Sequence, residues 1–119
     1  MRPDPRSLAH WIIAAVAAGA YIAYSAFQWR DFAVPSWDLG IFSELAKQYG
    51  GLHAPTVDIK GPGFNLLGDH FHPLLVLLGP VYWLFPSGLT LLVVQDLLFA
   101  ASAVPIMRLA SARLGDRLG

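Results

Sequence analysis

Hydrophobic and polar positions along this chain fall into blocks. Leu8 to Trp29 is a run of 22 residues without a formally charged side chain. A helix of that length, rising 1.5 Å per residue, crosses a ~30 Å hydrocarbon core. Phe71–Phe85 and Leu89–Leu109 are strongly apolar again, and the Pro86-Ser87-Gly88 turn between them reads as the tip of a helical hairpin. The first arm, about 15 residues long and carrying Pro73, Gly79 and Pro80, is short for a span and must thin the bilayer, kink or insert only in part. The pattern therefore predicts an all-α membrane protein with about three transmembrane helices, near residues 8–29, 71–85 and 89–109, joined by a polar loop over 30–70.

Inside that loop the period changes. Trp37, Ile41, Phe42, Leu45 and Tyr49 recur at three- and four-residue spacing, leaving Asp38, Glu44, Lys47 and Gln48 for the wetter faces. About 13 residues cannot span, so an amphipathic helix lying along the interface is expected, with Ser36 as N-cap and Gly50-Gly51 as the stop. Leu52–Asp69, rich in proline and glycine, reads as a linker folding back over the membrane surface. Its Gly61-Pro62-Gly63 run is a turn, because the spacing and the following Lys-Ser/Thr of a phosphate-binding loop are absent.

Composition supports the membrane class. Of 119 residues 55% are hydrophobic and 13% charged, with a mean hydropathy of +0.51. Eight Lys and Arg balance eight Asp and Glu, so no basic field points to nucleic acid. The absence of cysteine excludes disulfides, thiolate metal sites and a cysteine nucleophile together. A cleaved signal peptide ending at the small residues near Ala20 is the rival reading of the first block, weakened by its length and by the membrane sequence that follows. Ala14, Ala15, Ala17, Ala18, Gly19 and Ala20 would let another helix come close.

Candidate chemistry gathers at the two ends of the loop. Asp38 stands in the first turn of the expected interfacial helix, where the helix dipole favours a carboxylate, whether structural or functional. Asp69, His70 and His72 cluster where the chain re-enters the apolar phase. In an extended segment His70 and His72 share a side, so they are candidates to bind a phosphate or, with a third ligand from His53, Asp58 or Asp38, a divalent metal; the alternative is an interfacial histidine pair bonded to loop carbonyls. Asp96 lies within the last apolar block, where an unpaired charge costs at least ~2.5 kcal/mol, so it must be protonated, paired or turned to a polar interior.

Trp37-Asp38-Leu39-Gly40-Ile41-Phe42, then Gly68-Asp69-His70-Phe71-His72-Pro73-Leu74-Leu75, Pro80-Val81-Tyr82 and Leu91-Leu92-Val93-Val94-Gln95, together resemble a family of large bacterial membrane proteins catalogued as domain of unknown function 2079. That family is distantly similar to the C-type glycosyltransferases, multi-span enzymes that take sugars from polyprenyl-phosphate carriers at the outer face of the membrane. The resemblance implies a multi-pass protein of the cell membrane, in contact with membrane lipid, with Asp38 in the catalytic acid's position and His72-Pro73 at the proline-bearing start of the second span, beside the candidate substrate-binding residues Asp69, His70 and His72. It also implies that the chain is the N-terminal part of a longer protein, inactive alone, and that the loop faces outward. In the enzymes a second acid usually follows the first, whereas Leu39 follows Asp38 here. A non-enzymatic transporter or assembly subunit, with Asp96 and the histidines on a polar path, is the alternative.

Overall fold

The computed structural model describes residues 5–34 and 36–118, without the side chains of residues 5, 6, 36 and 116–118. The chain is all-α: α1 (Pro5–Arg30), α2 (Ser36–Gly50), α3 (Leu78–Leu84) and α4 (Gly88–Leu118), with short 3-10 helices at Asp58–Lys60, Leu66–Gly68 and Pro73–Leu77. It divides into two compact units, one formed by Met1–Phe27 with Val93–Gly119 and the other by Gln28–Leu92.

The first unit pairs the bodies of α1 and α4. Tyr21 and Phe99 meet edge to face with ring centroids 5.5 Å apart, while Arg108 donates to Ser7 Oγ at 3.1 Å and Ser111 Oγ lies 3.3 Å from His10 Nε2. These pairings make the helices antiparallel. Ala14, Ser25, Ala100 and Val104 are buried between them, but Ala15, Gly19 and Ala20 face outward. Ser7–Arg30 and Gly88–Gly115 are long and apolar enough to cross a membrane. α4 runs beyond the expected end near 109 and holds Pro105 within it, which a span accommodates when neighbouring groups take up the freed backbone carbonyl.

A third crossing over 71–85 is not among these spans. The apolar stretch there forms a five-residue 3-10 helix followed by the seven residues of α3. Together they measure about 20 Å, against a core of ~30 Å.

The second unit has its own small core, in which Ile41 and Leu45 of α2 pack on Val57 and Leu66 of the loop, with Phe42, Tyr49, Phe64 and Leu75 around them. The loop closes as a narrow antiparallel ribbon: Leu66 N–H donates to Pro55 O at 3.0 Å and Val57 N–H to Phe64 O at 2.8 Å. Its tip requires glycine, since Gly61 and Gly63 have φ of +136° and +69°. The apolar side of α2 is thus covered largely by protein, where the sequence pattern had pointed it toward lipid. α3 crosses α2 at two glycines, and a Cβ on Gly79 would stand 2.9 Å from the Tyr49 carbonyl carbon.

Both α1 and α2 end in a Schellman arrangement. Ala33 N–H bonds Gln28 O and Phe32 N–H bonds Trp29 O; His53 N–H bonds Gln48 O and Leu52 N–H bonds Tyr49 O. The left-handed residue is Phe32 in one and Leu52 in the other, with φ of +53° and +56°. The stop of α2 therefore rests on Leu52 rather than on Gly50 or Gly51, at a cost of about 1–2 kcal/mol for a residue carrying a Cβ.

Candidate functional site

The loop unit carries the candidate residues, and its acids have different duties. Asp38 lies in the first turn of α2, exposed, and makes no hydrogen bond or ion pair with any described residue. The N-cap expected of Ser36 falls on a side chain outside the described residues. Two positions on, Gly40 leaves room for Ile59, whose Cδ1 would stand 3.0 Å from a Cβ there. The chain next to Asp38 is thus seated against the loop while its side chain is exposed. Asp31, in the turn after α1, is exposed and unengaged as well.

Glu44 is engaged. Its Oε1 accepts the Asp58 N–H at 3.0 Å and its Oε2 the Ile59 N–H at 3.2 Å, capping the 3-10 helix over Asp58–Lys60. A residue that the periodicity assigned to a wet helix face is therefore a loop-fixing carboxylate. Nothing in the sequence marks this, because donor and acceptor are 14 and 15 positions apart. Asp58 in turn accepts the Gly63 N–H at 3.0 Å, and Asn65 accepts from Leu67 N–H at 3.0 Å.

Asp69 binds two cation-forming neighbours through one oxygen. Lys60 Nζ donates to its Oδ2, and His70 Nδ1 lies 2.9 Å from the same atom. The Lys60 hydrogen bond is the main reason that the Asp69 carboxyl is held below its ordinary value; His70 acts in the same direction and burial against it. Lys60 also lies over the Phe64 ring, 5.1 Å from its centroid. The His70 and His72 rings are 6.0 Å apart by centroid and both exposed. Lys60 thus joins Asp69, His70 and His72 in one patch of an ammonium, a carboxylate and two imidazoles, a member that sequence spacing did not reveal.

Asp38 has no bond to this patch. The metal ligands considered from sequence do not come together either. His53 lies against Gly51, where its ring atoms would be 2.9 Å from a Cβ, and Asp58 is committed to the loop. Among the described residues no group of three or more His, Asp or Glu is placed to hold a metal ion. In the first unit, Asp96 Oδ2 and His10 Nδ1 are buried without a hydrogen-bond partner.

Compared with known proteins, residues 29–118 match the model of a family described as predicted membrane protein (DUF2079). No curated protein and no solved structure matches the chain.

Proposed function

The chain belongs to the DUF2079 family of membrane proteins, and from that premise we propose that it serves a glycosyltransferase-like reaction on a polyprenyl-phosphate-linked sugar. The observation that carries this reading is the state of Asp38. Glu44, Asp58 and Asp69 are each tied into the loop, whereas Asp38, in the first turn of α2, is exposed and has no hydrogen bond or ion pair with any described residue. A free carboxylate at a fixed point is what a general base needs. In the proposed step Asp38 takes the proton of an acceptor hydroxyl, the acceptor oxygen forms its bond to the anomeric carbon with inversion, and the carbon–oxygen bond to the carrier phosphate breaks, leaving the phosphate as an anion. Lys60, His70 and His72 supply donors of the kind that recognise such a phosphate. Should a divalent metal take part, Asp38 would be a ligand to it.

Charge supports an outward-facing loop. By order along the chain, Arg2 and Arg6 precede the candidate span Ser7–Arg30, Arg108 and Arg113 stand in the last turns of Gly88–Gly115 and Arg117 follows it, whereas Arg30, Lys47 and Lys60 belong to the loop end of the spans. The larger cationic count belongs in the cytoplasm, so the loop reaches the face where polyprenyl-linked donors are used.

Asp38→Asn tests the role, because it keeps shape and removes charge and basicity. In membranes supplied with a polyprenyl-phosphate-linked sugar, transfer by the intact protein is expected to fall at least ~100-fold at unchanged protein level, the low end for loss of a general base. A normal rate would reduce Asp38 to a helix-start carboxylate.

A second reading rests on Asp96, whose buried Oδ2 lacks a hydrogen bond within a candidate span. Such a group suits a polar path completed by other helices, as in a transporter or assembly subunit. An Asp96→Asn variant that abolishes function while Asp38→Asn preserves it would favour this second reading.

A further inference from the structure

We propose that Pro73–Leu84 is a foot by which the loop unit sits in the lipid surface, lying in the headgroup–acyl boundary without crossing. The argument begins with composition: from Phe71 to Gln95 there is no Asp, Glu, Lys or Arg. Leu75, Leu78, Gly79 and Tyr82 recur at helical spacing, and these are the half-buried or buried positions, turned toward the rest of the loop unit. A helix with water on its other side would be polar there. Instead that side presents Leu74, Leu77, Val81, Trp83 and Leu84, with Leu74 77% and Trp83 71% exposed.

Continuity with the spans identifies the occupant as lipid. The Thr90 hydroxyl in the first turn of α4 donates to Phe85 O at 2.6 Å. Ser87 Oγ accepts the Leu89 N–H at 3.2 Å, which caps α4 and fixes the three-residue connection. The Trp29 ring, at the end of α1, lies so close over Gly88 that a Cβ there would stand 2.9 Å from it. Within the loop unit, α3 is therefore tied to Trp29 and to the first turn of α4, a few residues from where the two candidate spans end. An exposed tryptophan, Trp83, suits the headgroup level.

The cysteine-free chain allows a depth measurement. Leu77→Cys and Leu84→Cys, seven residues apart and on one helix side, are spin-labelled singly in the intact chain reconstituted in phosphatidylethanolamine–phosphatidylglycerol vesicles. Lys47→Cys, on exposed α2 surface, is the aqueous reference. Both foot labels are expected to be relaxed by oxygen far more than by a water-soluble nickel chelate, at a common depth of about 5–10 Å, with the Lys47 label showing the reverse preference. Nickel access equal to that at Lys47 would overturn the proposal, as would protection from both relaxants, which means a covering protein. A depth difference of about 10 Å between the two labels, as seven residues of a crossing helix require, would overturn it too. In the chain with all cysteine substitutions omitted, Trp83 fluorescence, taken as the difference from Trp83→Phe, should be quenched more by lipids brominated near the headgroup than by lipids brominated near the chain ends. The opposite order, or no quenching, would contradict the foot.

Discussion

Replacing Glu44 by glutamine leaves one of the two loop N–H groups at Asp58 and Ile59 facing an amide NH2 instead of a carboxylate oxygen. The sequence pattern makes this change mild; the geometry predicts a loss of about 1 kcal/mol, since bonds to a charged acceptor exceed neutral ones. Amide exchange at Asp58 and Ile59 should rise roughly five-fold, the ratio that 1 kcal/mol sets, with α1 unaffected. Asp69 gives a pH dependence. Its carboxyl is held below the ordinary 3.8, first by Lys60, so the ionised form is favoured in the folded loop. That contribution is present in full above about the ordinary value and is lost as pH falls through the lowered one. Pepsin cleavage between Lys60 and His72, taken as a ratio to the Asp69→Asn chain to cancel the protease's own pH profile, should be low near pH 4 and above. In stronger acid the ratio should approach one, and a ratio of one throughout would show that the pair does not order the loop.

At the scale of elements, the contact of α2 with α3 decides what the 71–85 stretch becomes. Gly50 and Gly79 let the two backbones touch: a Cβ on Gly50 would lie 2.9 Å from Gly79 O, and one on Gly79 2.9 Å from the Tyr49 carbonyl carbon. Backbone cannot yield as a flexible side chain can. Gly79→Ala is therefore expected to destabilise the loop unit by about 1–3 kcal/mol, seen as a lower thermal midpoint and faster proteolysis of residues 50–70. Gly19→Ala, with nothing within 4 Å of the added methyl, should leave the midpoint unchanged or slightly higher because alanine favours helix. Equal effects of the two substitutions would mean that α3 does not pack on α2 as described. On another part of α2, Ile41 and Leu45 are covered by Val57 and Leu66 of the loop.

At the scale of the molecule, the sequence by itself determined the class. Long charge-free blocks and helical periodicity are properties of neighbours along the chain, so the spans built on Leu8–Trp29 and Leu89–Leu109, the helix from Ser36 and the glycine turn at 61–63 were all legible. The ordered motifs from Trp37 to Gln95 likewise carried the family membership. Tertiary structure decided the rest. Hydropathy counts apolar residues without asking which side of a helix is already covered, so it read 71–85 as a third crossing. The fold spends Leu75, Leu78, Gly79 and Tyr82 on the loop unit and leaves a helix too short to span. Nor could spacing tell the free carboxylate from the engaged ones. Asp38 and Glu44 look alike on a helical wheel, and only closure of the loop brings the Asp58 and Ile59 amides to Glu44 and Lys60 to Asp69. Such partners are chosen by how the chain returns on itself, which no local pattern encodes.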